Sequence, residues 1–292
     1  MYDTRNDSDI FGDDRTRGDM RNRSQRRAII VYFAIAFGVP WIGWTARWLL
    51  DLDPGTLQAR LLFYTGNFCS IGGLAAAYVL SGKAGLKDMG RRFILWRVPL
   101  VWWLGALFLP AVWSLLAVIG FGISKGGIGT FDPGGLARVL TPGVLIALTT
   151  GPLGEEFGWR GFLLPQFLKR FTPLVASLII GVIWGIWHFA LYHPGVMSTF
   201  KGVLRFTATT VLFSLIMTVL FLKTKTSILI AVAIHWTINI MPGIVQSMFP
   251  TLITPDSQLE FSGVWHLIAI AFVTAIIVIR HWGLLTQKQE TS

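Results

Sequence analysis

PLVWWLGALFLPAVWSLLAVIGFGI, residues 99–123, runs for 25 residues without one charged side chain. A helix needs about 20 predominantly apolar residues to cross a bilayer. The run is also too continuous for the alternating pattern of a barrel strand. Further runs of this kind lie at 29–50, 61–81, 142–168, 174–193, 205–223, 227–248 and 263–283. They predict an all-α fold, a polytopic transmembrane helical bundle of about eight spans in the cell membrane. Composition agrees. Hydrophobic residues make up 53% of the chain and charged residues 14%, against about 25% charged in soluble proteins. A soluble domain and a disordered chain are both excluded.

The charges that remain give the orientation. Residues 1–27 hold seven Arg and six Asp; they read as a disordered polar cytoplasmic tail, ahead of a transmembrane domain at 28–292. The first apolar run starts too late and runs too long for a cleavable signal peptide, so it reads as an uncleaved anchor. Cations gather before the first run and in every second loop: Lys83, Lys87, Arg91, Arg92 and Arg97, then Lys169 and Arg170, then Lys223 and Lys225. The alternate loops are poorer in cations and carry Asp51, Asp53, Asp132, Asp256 and Glu260. This pattern predicts that both termini are cytoplasmic. The formal net charge of +10 belongs to such loops and not to a nucleic-acid-binding face. Many of the 13 Trp, such as Trp41, Trp48, Trp102 and Trp282, fall near span ends as an interfacial belt. The single cysteine, Cys69, cannot form an intrachain disulfide. The sequence has no fixed-period repeat, Walker loop, dinucleotide fingerprint or His-Glu-x-x-His motif.

Against this background, three elements stand out. The first is GPLGEEFGWRGFLLP at 151–165, with two adjacent glutamates inside an apolar segment. A charge at the bilayer centre costs about 2.5–3.5 kcal/mol on insertion scales. Glu156 and Arg160 are four apart and share a helix face, so they can pair. Glu155 is turned about 100° away, towards a wet cavity. The alternative is a buried ion network that orients helices or lines an ion path. The second element is His188 in GVIWGIWHFALYHP at 181–194, with Trp184 one turn before it and Gly181 and Gly185 as a small-xxx-small pair. His193, before Pro194, reads as interfacial. The third is AVAIHWTIN at 231–239, where His235 and Asn239 share a face. Each alone is explained by an interhelical hydrogen bond. Together they hold most of the strongly polar side chains at membrane depth, which points to one shared site.

A carboxylate beside an imidazole can activate water, and a second imidazole with a carboxamide can stabilise an oxyanion. The set suits amide hydrolysis without a covalent intermediate. Glu155, His188 and His235 are also an acceptable zinc ligand set.

Glu-Glu-x-x-x-Arg at 155–160, aromatic-x-x-x-His at 184–188 and His-x-x-x-Asn at 235–239 resemble the CAAX protease and bacteriocin-processing family of intramembrane proteases. That family includes the type II CAAX prenyl endopeptidases. The resemblance covers a protease-like core at about 140–245. It implies that Glu155 and His188 activate water, that Glu156 and Arg160 support the site, and that His235 and Asn239 stabilise the oxyanion. The family often has Phe where this chain has Trp184. It is often labelled metalloprotease, although a metal-free glutamate mechanism also has support. Asn239, a poor zinc ligand on the same face as His235, favours a site with no cofactor, with zinc held by Glu155, His188 and His235 as the alternative. The implied partners are membrane lipid and a protein or peptide substrate, lipidated or not, and no nucleic acid. A non-catalytic membrane binding or immunity protein of the same fold and an ion-coupled transporter are the rival functions. The motif at 155–160 leads into Lys169 and Arg170, so the site is expected to open to the cytoplasm or sideways to lipid.

Overall fold

In lipid, backbone polar groups must be satisfied within the chain, so apolar length becomes helix. The computed structural model describes residues 7–193 and 195–288, and among these no strand occurs. The first helix, α1, runs Asp7–Leu49, and its membrane-length part is Asn22–Leu49. It therefore continues through the polar stretch expected to be a disordered tail, of which residues 1–6 lie outside the described residues. Extending an existing helix needs no new nucleus.

After a short α2 (Leu57–Phe63) and a 3₁₀ turn, α3 (Phe68–Phe93) packs along α1. α4 (Leu100–Ser124) follows. The next pass is broken into α5 (Pro142–Thr149), α6 (Pro152–Glu156), a π-helical segment Phe157–Leu163 and α7 (Leu164–Leu168). α8 (Pro173–Trp187) and α9 (Phe189–Tyr192) are separated at His188. α10 (Phe200–Lys223) packs along α8, and α11 (Ile228–Ser247) packs along α4. α12 (Gln258–Glu260), a π turn, α13 (His266–Arg280) and α14 (Trp282–Thr286) complete the described chain.

Six described helices are long and apolar enough to cross a membrane. The other two expected spans, 61–81 and 142–168, are built differently. α3 bends at Gly82, which takes a φ of 58°, and its far half carries Lys83, Lys87, Arg91 and Arg92. The segment 142–168, whose length already left room for an interruption, is broken at Thr150-Gly151-Pro152. A residue before proline is driven away from helical geometry, and Gly151 adopts φ −150°, ψ −74°.

Contacts between loops fix the two ends of the bundle. At the cation-rich end, Ser227 Oγ donates to the Leu95 carbonyl at 2.8 Å. At the other end, Asp132 N donates to the Met248 carbonyl at 2.8 Å and Lys125 pairs with Glu260 at 2.8 Å. The small-residue stripe on α8 behaves as its sequence implies: a methyl on Gly181 would stand 2.5 Å from Val211 Cα on α10.

α3 and the π segment approach each other closely through their backbones. A methyl on Gly158 would lie 2.5 Å from the Cys69 carbonyl oxygen, and one on Gly73 2.5 Å from that of Phe157. Backbone cannot rotate aside as a side chain can, so Gly158→Ala should destabilise the fold by about 1–3 kcal/mol. Thermal unfolding in detergent should show a lowered midpoint for Gly158→Ala. Gly243→Ala, where the added carbon meets nothing within 4 Å, should unfold as the parent does.

Candidate active site

The buried charges are resolved locally first. Glu156 and Arg160 are fully buried, with Arg160 Nη1 donating to Glu156 Oε1 at 3.2 Å. The same oxygen lies 2.7 Å from His235 Nδ1 on α11. One carboxylate oxygen thus ties α6, the π segment and α11 together. The Arg160 guanidinium also stacks 5.0 Å from the centre of the Trp184 ring. Neither Glu156 nor Arg160 lines the cavity described next.

Glu155 faces the other way, as the 100° step per residue requires. Its Oε2 accepts two indole N–H groups, from Trp159 at 3.1 Å and from Trp184 at 2.7 Å. Behind it, Cys69 Sγ contacts the Glu155 carbonyl at 3.6 Å. His188 sits in the break between α8 and α9, and its Nδ1 is 3.0 Å from the Trp184 carbonyl. That acceptor assigns the proton to Nδ1 and leaves the Nε2 lone pair free.

Glu155, His188, His235 and Asn239 all line one cavity of about 410 Å³. Three of them converge on a point beside Gly151. A methyl built on that residue would lie 3.0 Å from Asn239 Nδ2 and 3.5 Å from both Glu155 Oε1 and His235 Nε2. Gly151 keeps the point open. Glu155 Oε1, the oxygen without an indole donor, is the one aimed there. The cavity can therefore hold a small polar atom between a carboxylate, an imidazole and an amide N–H.

Among the described residues no group of three His, Cys, Asp or Glu side chains is placed to hold a metal ion. Glu155 Oε2 accepts both indoles and His235 Nδ1 is held by Glu156, which leaves Glu155 Oε1 and His235 Nε2 facing the cavity.

Two features were not legible in the motifs. The paired indole donors on Glu155 were missed, although Trp159 stands four residues after Glu155 and on the same helix face. The expectation that the site opens to the cytoplasm or sideways to lipid also left open which half of the bundle holds the cavity. The cavity is walled by Trp44, Tyr192, Phe206 and Asn239, which lie on the halves of their helices towards the cation-poor loops. Lys169 and Arg170 follow the far side of the same broken pass, beyond the buried Leu163 and Leu164.

Comparison with known proteins agrees with the motif reading. Residues 137–241 match the family model described as Rce1-like, type II CAAX prenyl endopeptidase Rce1-like. Over 272 residues the chain is 28% identical to CAAX prenyl protease 2 of Methanococcus maripaludis, covering 83% of this chain and 92% of that protein. The chain is a multi-pass membrane protein and, by class, a membrane endopeptidase. In particular, the region similar to the Rce1-like model contains all three motifs, Glu155 to Arg160, Trp184 to His188 and His235 to Asn239.

Removing one partner of a buried ion pair leaves the other charge uncompensated, at a cost of about 3–5 kcal/mol. Arg160→Ala should therefore lower the unfolding midpoint sharply, whereas Glu155→Gln, which keeps the shape and both indole contacts, should leave it nearly unchanged. Equal midpoints for the two variants would contradict the division of roles between the adjacent glutamates.

Proposed function

We propose that the protein hydrolyses peptide bonds with a water activated by Glu155, without a metal. The observation that carries this reading is the convergence of Glu155 Oε1, His235 Nε2 and Asn239 Nδ2 on one point beside Gly151. A water held there donates one proton to Glu155 Oε1 as its oxygen attacks the peptide carbonyl carbon. His188, through its free Nε2, accepts the second hydrogen of the water and orients it. The carbonyl oxygen becomes an oxyanion that accepts hydrogen bonds from Asn239 Nδ2 and His235 Nε2. His235 Nδ1, 2.7 Å from Glu156 Oε1, fixes the ring so that Nε2 faces the oxyanion. Collapse of the intermediate breaks the C–N bond, and Glu155 returns its proton to the leaving amine. The two indoles hold the Glu155 carboxylate without neutralising it, which leaves Oε1 basic and fixed in direction.

The substrate class is a protein or peptide at the membrane. Glu155→Gln should abolish cleavage of a peptide library by purified protein, since an amide cannot take the proton. Asn239→Ala should lower kcat by about 10²–10³, with a much smaller change in KM, because the amide acts on the developing oxyanion. Elemental analysis of active protein should find no stoichiometric zinc, and a chelator should leave turnover intact. Loss of activity to the chelator, with restoration by zinc, would move His235 from oxyanion donor to metal ligand.

A further inference from the structure

We infer that a cavity between α3 and the last segments of the broken pass binds the phosphate headgroup of an anionic lipid. It lies at the cation-rich end of the bundle and shares no lining residue with the cavity that holds Glu155. The inference does not rest on the proteolytic reading of that other site.

The cavity measures about 490 Å³, and Asp88, Arg91, Arg92 and Lys169 line it. Asp88 divides its carboxylate between two guanidiniums, at 3.0 Å from Arg91 and 2.8 Å from Arg92. One negative charge does not neutralise two positive ones, so this trio keeps a positive excess. Lys169 adds a cation from the far end of the broken pass, its Nζ donating to the neutral Gln166 Oε1 at 2.8 Å. Arg92 is held in place from within. Its side chain is 12% exposed, Nε donates to Asp88, and Nη2 donates to the Gly161 carbonyl at 2.8 Å. Its Nη1 makes no hydrogen bond among the described residues and is left for a ligand. A guanidinium fixed in this way presents its remaining donors to phosphate oxygens with little loss of freedom.

The rest of the lining favours a lipid over a soluble phosphate. Leu80 and Ala84 of α3 and Pro165 of the facing pass give the same cavity an apolar part. Its depth also fits. The apolar part of α3 ends at Leu80 and α7 ends at Leu168, with Lys83 and Lys169 following closely. Cations that follow an apolar span stand at the level of the headgroups. A cationic wall beside an apolar one, at that level, matches an amphiphile. Its phosphate meets the guanidiniums while its glycerol and first acyl carbons cover Leu80 and Pro165. Basic pockets between membrane helices bind anionic headgroups by this combination.

The test reads the thermal unfolding midpoint of the purified full chain in a neutral detergent. Added phosphatidylglycerol should raise it by about 5 °C, since a ligand that binds only the folded state stabilises it. Phosphatidylcholine, which carries the phosphate without net negative charge, should not. Arg91→Glu should lose the shift and Arg91→Lys should keep it. The Arg91 side chain is 79% exposed, so these changes spare the core; should Arg91→Glu nevertheless fail to fold, Arg91→Gln reads the same loss. Lys201→Glu, the same reversal at the start of α10 and the other end of the bundle, should shift as the parent does. A full shift in Arg91→Glu, or its loss in Lys201→Glu as well, overturns the inference. An equal rise with glycerol 3-phosphate assigns the cavity to a soluble phosphate and overturns the lipid.

Discussion

The rest of the site depends on a single buried oxygen, Glu156 Oε1. It takes a proton donor from Arg160 and stands 2.7 Å from His235 Nδ1. A carboxylate, a guanidinium and an imidazole have all been taken out of water at this point, and only their mutual attraction offsets the desolvation. The cluster is not fully satisfied. Glu156 Oε2 and Arg160 Nε and Nη2 find no hydrogen-bond partner among the described residues. Such an arrangement is a poor way to gain stability, since an apolar core of the same volume would serve as well or better. What it does provide is position. It sets the rotation of the His235 ring, and therefore the direction of Nε2, from the wall opposite the cavity.

The adjacent glutamates divide two incompatible tasks. A carboxylate held by a buried arginine is structurally secure but turned away from the cavity. A proton acceptor must be fixed in direction while keeping its charge. Glu155 is held by the two indoles of Trp159 and Trp184, which are neutral donors. The helical step between residues 155 and 156 keeps the two carboxylates on different faces, one towards α11 and Arg160, the other towards the cavity. Trp184 links the two parts, because its ring carries the Arg160 guanidinium on one side and its N–H reaches Glu155. A phenylalanine at this position could accept the cation over its ring but could not donate to Glu155.

How much of this was legible follows from what kind of signal each feature leaves. The helical bundle and the meeting of Glu155, His188, His235 and Asn239 come from a cost argument. Long apolar runs must be helices, and polar groups in lipid must find one another. Neither needs coordinates. The length of the pass at 142–168 hinted at an interruption, but its place was hidden by the same logic, because Gly151, Pro152 and Pro165 do not lower apolarity enough to interrupt a hydropathy run. The indole donors were hidden for another reason. Tryptophan near a span end has a sufficient explanation in the interfacial belt, so its N–H carries no separate message until a carboxylate is seen 2.7 Å away. The position of the cavity was hidden because the order of residues along one helix shows where its cations lie, but not which end of the surrounding helices splays to form it.

The breaks and the cavity are one feature. Irregular backbone is tolerated at membrane depth only where it is buried in protein or borders a polar space. The Thr150-Gly151-Pro152 interruption and the gap between α8 and α9 at His188 both fall on the cavity wall. Any side chain at 151 would enter the point where Glu155, His235 and Asn239 converge. An unbroken α8 would direct residue 188 by helical periodicity alone, whereas here the Trp184 carbonyl holds the ring through Nδ1. The apolar sequence makes the bundle, and the few residues that interrupt it, Gly151 and Pro152 above all, make room for water inside it.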